Sequence, residues 1–165
     1  MNKRLTVIIS ILALLGLGIA IYSFLHNQAF ASGEFCQISE SFNCDIVNKG
    51  PFSKFFGIPV ALIGIIGYVL LLVSALIKLK QPADRGLTNF LTLAALGGLA
   101  FSLYLTSLEA FVLHSWCLLC LVSQALILLI AILSCWLWLR EKKGKVVSGT
   151  IIEETIIIEK SSRDL

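Results

Sequence analysis

Trp116-Cys117-Leu118-Leu119-Cys120 opens an apolar run that continues to residue 139, and the rest of the chain is read from it. About 20 apolar residues in a row suffice to cross a hydrocarbon core of about 30 Å as a helix. Two cysteines three positions apart on a helix fall on one face, where they can close a disulfide or meet one redox partner. The stretch thus predicts a membrane span with a dithiol at its beginning.

Outward from it lie three further runs of similar length, so the chain predicts transmembrane helices over 5–25, 58–77, 87–113 and 116–139. The expected fold is an all-α membrane protein, a four-transmembrane-helix bundle over 1–140 with a cysteine-bearing lid loop over 26–57 on the extracytoplasmic side. Composition agrees: 58% hydrophobic and 14% charged residues, with a mean hydropathy of +0.93, are far too apolar for a soluble domain of 165 residues. A net charge of +3 is too small to point to nucleic acid. Residues 141–165 read as a cytoplasmic tail, with the Ile-rich and Glu-rich stretch 151–159 forming a short strand or staying mobile.

Orientation follows from where the cations fall. Lys3 and Arg4 precede the first run, Lys78, Lys80 and Arg85 separate the second and third, and Arg140, Lys142, Lys143 and Lys145 follow the fourth. All lie on one side, which the positive-inside rule makes cytoplasmic. The lid loop and the turn at His114 then share the opposite, oxidising face, which holds four of the five cysteines. The expected location is the cell inner membrane, with the cysteines facing the periplasm or exterior. The first run together with Ala29-Phe30-Ala31 also imitates a secretory signal and its cleavage site, but it is longer than the usual apolar region, and an uncleaved helix is the expectation.

In the lid, Cys36 and Cys44 are expected to form a second redox pair beside a short amphipathic helix; the bland alternative is a static bridge that ties down the loop. A second cysteine pair on the same side favours the redox reading. Ile58-Pro59 begins the second helix, where proline loses no hydrogen bond. Gly57, Gly64, Gly67, Gly97 and Gly98 read as sites of close helix packing, and Tyr68, Ser102, Tyr104, Thr106 and Ser107 as ordinary interior groups.

For the central pair, Ser115 is the expected N-cap, which puts Cys117 in the first turn, where free N–H groups favour a thiolate. Cys120 lies one turn deeper, and Gln124 one turn below that. Gln124 has two readings, a hydrogen bond to the carbonyl of an electron acceptor or an ordinary interhelical bond. Four thiolates could in principle hold zinc, but the seven-residue spacing of Cys36 and Cys44 and the oxidising compartment argue against metal. Cys135, beside Trp136 near the cytoplasmic end, reads as a small packing residue.

Taken together, Cys36, Cys44-Asp45-Ile46-Val47, Phe56-Gly57-Ile58-Pro59-Val60-Ala61-Leu62-Ile63-Gly64, Tyr104-Leu105 and the Cys117-to-Cys120 pair resemble a bacterial homologue of the vitamin K epoxide reductase family, over about residues 22–138. That resemblance implies a four-helix bundle holding a quinone (menaquinone, ubiquinone or vitamin K) near the last-helix cysteines. It implies roles too: Cys120 faces the quinone, Cys117 is its disulfide partner, Cys44 attacks Cys117, and Cys36 exchanges with an incoming protein dithiol. Val60 and Gln124 stand where animal members carry quinone-binding asparagine and tyrosine, so they are the expected quinone contacts beside Cys120. The exchange of those residues favours plain quinone reduction over epoxide reduction. No thioredoxin-like pattern accompanies the four runs, so the reductant is expected to be a separate thioredoxin-like protein.

The function expected is therefore a quinone-dependent thiol–disulfide oxidoreductase. The alternatives are a DsbB-type enzyme, whose quinone-side cysteines would be sought near an earlier helix, and a redox-sensing or structural membrane protein without turnover.

Overall fold

A computed structural model of the chain describes residues 2–28, 37–39, 42–43, 54–55, 57–113 and 117–163. It is built on four long helices: α1 (Asn2–Asn27), α2 (Val60–Lys80), α3 (Arg85–Leu108) and α4 (Leu118–Arg163). Each contains a segment long and apolar enough to span a bilayer, namely Lys3–His26, Val60–Lys80, Arg85–Val112 and Leu118–Lys143. The four runs read from the sequence thus become four helices.

Each helix packs on the next and α1 closes the ring on α4, which makes an up-down-up-down bundle. Ile9, Ala13, Ala75, Leu91, Ala95 and Ile130 are buried at its centre, and the alanines let backbones approach where no hydrophobic drive separates helix from lipid. Leu14, Ile66, Leu93 and Ile132 point outward and are exposed, as lipid-facing side chains must be. Hydroxyls inside the spans bond within their own helices: Ser10 Oγ donates to the Thr6 carbonyl at 2.9 Å and Ser74 Oγ to that of Leu70 at 2.7 Å. Thr92 also reaches across to the Ser134 carbonyl on α4, at 3.2 Å.

One residue crosses the bundle. Tyr68 on α2 lies over Gly16 of α1, so closely that a Cβ at position 16 would collide with its ring. Its hydroxyl donates to the Ser123 carbonyl on α4 at 2.9 Å and lies 3.0 Å from Ser123 Oγ. Gly16 is therefore a true packing glycine.

At the end of the bundle that carries the basic clusters, the buried Lys78 ammonium donates to the Asp84 carbonyl at 2.6 Å and pairs with Glu141 at 2.8 Å. Asp84 caps α3 by accepting the Gly86 N–H at 2.8 Å. Helix α2, the short turn and α4 are thereby joined at one point.

Between α1 and α2 the described residues form two short antiparallel ladders, β1 (Gln37–Ser39) with β2 (Phe42–Asn43), and β3 (Lys54–Phe55) with β4 (Ile58–Pro59). The amphipathic helix expected in this loop falls outside the described residues. Gly57 turns the second ladder at φ +84°, a left-handed conformation that favours glycine. Pro59 belongs to β4 and caps α2 rather than lying inside its first turn, so that helix begins at Val60.

Helix α4 departs from the sequence reading. Its backbone stays helical to Arg163, where a short strand or a mobile tail was expected after residue 140. Isoleucine-rich segments favour strands in isolation, but extending an existing helix needs no new nucleus, and the Glu and Lys residues there are good helix formers.

Candidate active site

The last turn of α3 does not close as an α-helix. From Glu109 to Leu113 the backbone winds as a π-helix, an arrangement that recurs at functional sites. It sets the Glu109 side chain inside the bundle, 2% exposed, with Oε2 accepting the backbone N–H of Cys117 at 3.2 Å.

That bond explains where α4 starts. The Cys117 carbonyl accepts the Leu121 N–H at 3.0 Å, which makes Cys117 itself the N-cap. The expected cap, Ser115, lies outside the described residues, and the first-turn position expected for Cys117 is corrected by two positions. With its own N–H committed to Glu109, Cys117 is held at the helix boundary, where its side chain faces the unpaired N–H groups of the first turn.

The sulfurs are coupled. Cys117 is buried, and its side chain is hydrogen-bonded to that of Cys120. This bond, helped by the backbone N–H groups of Cys120 and Leu119, holds the Cys117 thiol below its ordinary pKa, against burial and the nearby Glu109 carboxylate. The Cys120 thiol is hydrogen-bonded to Glu109 as well. One carboxylate thus touches both halves of the dithiol, bonding the backbone of one cysteine and the side chain of the other.

Below the pair lies a cavity of about 420 Å³, with Glu109 and Cys120 in its wall. The size suits a small-molecule ring, and the rest of the lining is mostly aliphatic, with isolated hydroxyls from Tyr68, Thr106 and Ser123. Four of the glycines expected to mark close packing, Gly64, Gly67, Gly97 and Gly98, line this space; Gly64 and Gly98 also lie close to Ala20 and Ile127 of neighbouring helices, as expected. A Cβ at Gly67 or Gly97 would meet no atom within 4 Å, so these glycines leave volume rather than bring helices together.

Compared with known protein families, residues 7–135 match the vitamin K epoxide reductase family. The chain belongs to that family. The match begins within α1, N-terminal to the residue 22 from which the resemblance is traced in the sequence. Among curated proteins, none matches the chain. As a vitamin K epoxide reductase family member, the chain is an oxidoreductase in a multi-pass membrane setting, and the family generally works with quinones. The cavity fits such a group: it is apolar, roomy at its glycine walls, and has a thiol in its surface.

Of the expected site residues, Cys117 and Cys120 are brought together, and Val60 lines the cavity from the first turn of α2. Gln124 accepts a hydrogen bond from the Thr106 hydroxyl of α3, the interhelical reading of that residue. Thr106 lines the cavity and Gln124 does not, so Gln124 stands behind the wall. Cys36 and Cys44 lie outside the described residues. Cys135 is half-buried in α4. Glu109 is the functional group that the sequence reading passed over, although it is the only charged residue in the four apolar runs. An ionisable group at membrane depth is a signal in itself.

Proposed function

We propose that this protein is a quinone-dependent thiol–disulfide oxidoreductase that takes electrons from a separate thioredoxin-like protein and supports disulfide formation. The observation that carries the reading is the Cys117–Cys120 couple, with Cys117 held toward thiolate at a helix start and Cys120 in the wall of an apolar cavity. A dithiol so placed has one sulfur suited to exchange and one suited to a lipid-soluble oxidant.

Cys36 exchanges with the incoming dithiol, and the partner leaves as a disulfide. The Cys44 thiolate attacks the Cys117 sulfur of a Cys117–Cys120 disulfide, releasing Cys120 as a thiolate. Cys36 then attacks Cys44, which restores the outer disulfide and leaves the inner pair reduced. A quinone supplies the two-electron sink that side chains lack. Cys120 and Val60, which line the cavity, would hold it, and Gln124 would act on it through Thr106, whose hydroxyl it holds.

The thiol end faces the periplasm or exterior of the inner membrane. Support comes from the far end of the bundle, where Arg140 lies 4.2 Å from the Trp136 ring centroid and Lys142 lies 3.8 Å from that of Trp138. Cations stacked on tryptophan mark a membrane–water interface, and their sign marks the cytoplasmic side.

The test is thiol trapping with mass mapping of the purified, reduced protein in a Cys36→Ser, Cys44→Ser background. Added menaquinone or ubiquinone should close Cys117 and Cys120 into a disulfide. If no quinone closes them, the chain is a redox sensor or a structural protein rather than this enzyme.

A further inference from the structure

We propose that Glu109 is a catalytic proton acceptor for the inner dithiol, taking the Cys120 proton as the pair closes and passing it into the cavity. This inference rests on the quinone-reductase reading above. Three observations converge on the carboxylate. It is hydrogen-bonded to the Cys120 thiol, it lines the cavity that Cys120 also lines, and it is almost wholly buried. A group in that position connects the sulfur that must lose a proton to the space where one must be delivered.

Holding the start of α4 does not by itself account for the residue. One backbone N–H can be satisfied by an uncharged acceptor such as serine or asparagine. A carboxylate among apolar side chains is costly, and this is the only charged residue in the four apolar runs. The π-helix beginning at Glu109 is a further irregularity at the same position.

The chemistry balances without an additional reagent. When the pair closes, two S–H bonds are lost, one S–S bond forms, and two electrons and two protons leave. Both electrons go to the quinone of the proposed function. The Cys120 proton goes to Glu109 and from there to one quinone oxygen, so the carboxylate ends as it began. The Cys117 proton is lost to the aqueous side, and an equivalent one is taken up at the second oxygen. The net result is dithiol plus quinone giving disulfide plus quinol. Among the described residues, the Cys120 thiol and the backbone N–H of Cys117 are bonded to Glu109, while the Tyr68 hydroxyl, in the same cavity, is bonded to Ser123.

The test uses the full chain in nanodiscs, in the Cys36→Ser, Cys44→Ser background, reduced and then oxidised either by a short-chain ubiquinone or by diamide, which needs no proton delivered in the cavity. Glu109→Gln keeps the shape and an acceptor for the Cys117 N–H. It should slow quinone-driven closure by about 100-fold or more, the scale of general acid–base catalysis, and change diamide-driven closure by less than about tenfold, since only the quinone reaction needs the proton delivered in the cavity. Glu109→Asp should fall between the two. A Gln variant that reacts with quinone at the parental rate overturns the inference, and so does one that slows equally with both oxidants. If the Gln variant does not fold, Glu109→Asp decides alone, since a retracted carboxylate must slow the quinone reaction by a larger factor than the diamide reaction. A parental protein that reduces no quinone would instead remove the proposed function and take this inference with it.

Discussion

The N–H of Cys117 points at Oε2 of Glu109, 3.2 Å away, so the start of α4 is bonded to the end of α3. Through this one contact a backbone need and a chemical need are met by the same side chain. The helix boundary decides which cysteine sits among free N–H groups, and the carboxylate that fixes the boundary also reaches the other sulfur.

The thiol–thiol bond sets the acidity of Cys117. Cys120→Ala removes the largest of the influences holding that thiol down while burial remains, so its titration should move up; Cys120→Ser keeps a donor and should move it less. Because the folded value lies below the ordinary one, the stabilisation from the Cys117 thiolate is full above the ordinary thiol range. It is lost as pH falls through the lowered value. Thiolate absorbance against pH, with Cys36, Cys44 and Cys135 replaced by serine, reads the shift directly.

Filling the cavity should separate binding from folding. Gly67→Leu or Gly97→Leu adds a side chain where a Cβ meets nothing within 4 Å. Thermal unfolding in detergent should change by no more than about 0.5 kcal/mol, while the KM for quinone rises by about tenfold, equivalent to about 1.4 kcal/mol of lost binding. An unchanged KM would place the quinone elsewhere.

Gly16 should behave in the opposite way. Gly16→Val drives a side chain into the Tyr68 ring and should cost about 1–3 kcal/mol as overpacking, seen as a lower melting temperature. Tyr68→Phe keeps the ring and loses only its bonds to Ser123, so about 0.5–1.5 kcal/mol is expected.

Breaking the Thr106–Gln124 link tests the cavity wall. Gln124→Leu leaves the Thr106 hydroxyl without that acceptor at membrane depth and should cost about 0.6–2 kcal/mol of stability. The quinone KM should shift less than in the glycine variants, because the residue acts from behind the lining.

The spans were legible because a bilayer demands about 20 apolar residues, a requirement that 5–25, 58–77, 87–113 and 116–139 meet without reference to tertiary contacts. The Cys117–Cys120 juxtaposition was legible from helical spacing alone. What escaped depends on partners distant in sequence. Nothing at Ser115 or Cys117 tells which one caps α4, since the answer lies in a carboxylate eight residues back on another helix. Whether a glycine approaches a neighbour or borders a void is likewise decided across the bundle: Gly16 meets Tyr68, whereas Gly67 and Gly97 meet nothing. Glu109 was visible as a charge in an apolar run, but its importance came from what surrounds it.

The ammonium of Lys78 carries a practical lesson about where this protein can be shortened. Hydropathy alone would trim the chain after Arg140, yet the next residue, Glu141, supplies the carboxylate that neutralises a cation only 3% exposed. Removing that counter-ion strands a buried charge, a loss of about 3–5 kcal/mol. The smallest version that keeps this seam intact must retain the turn of α4 that follows Arg140, so the end of the apolar run and the folding boundary of α4 are different places.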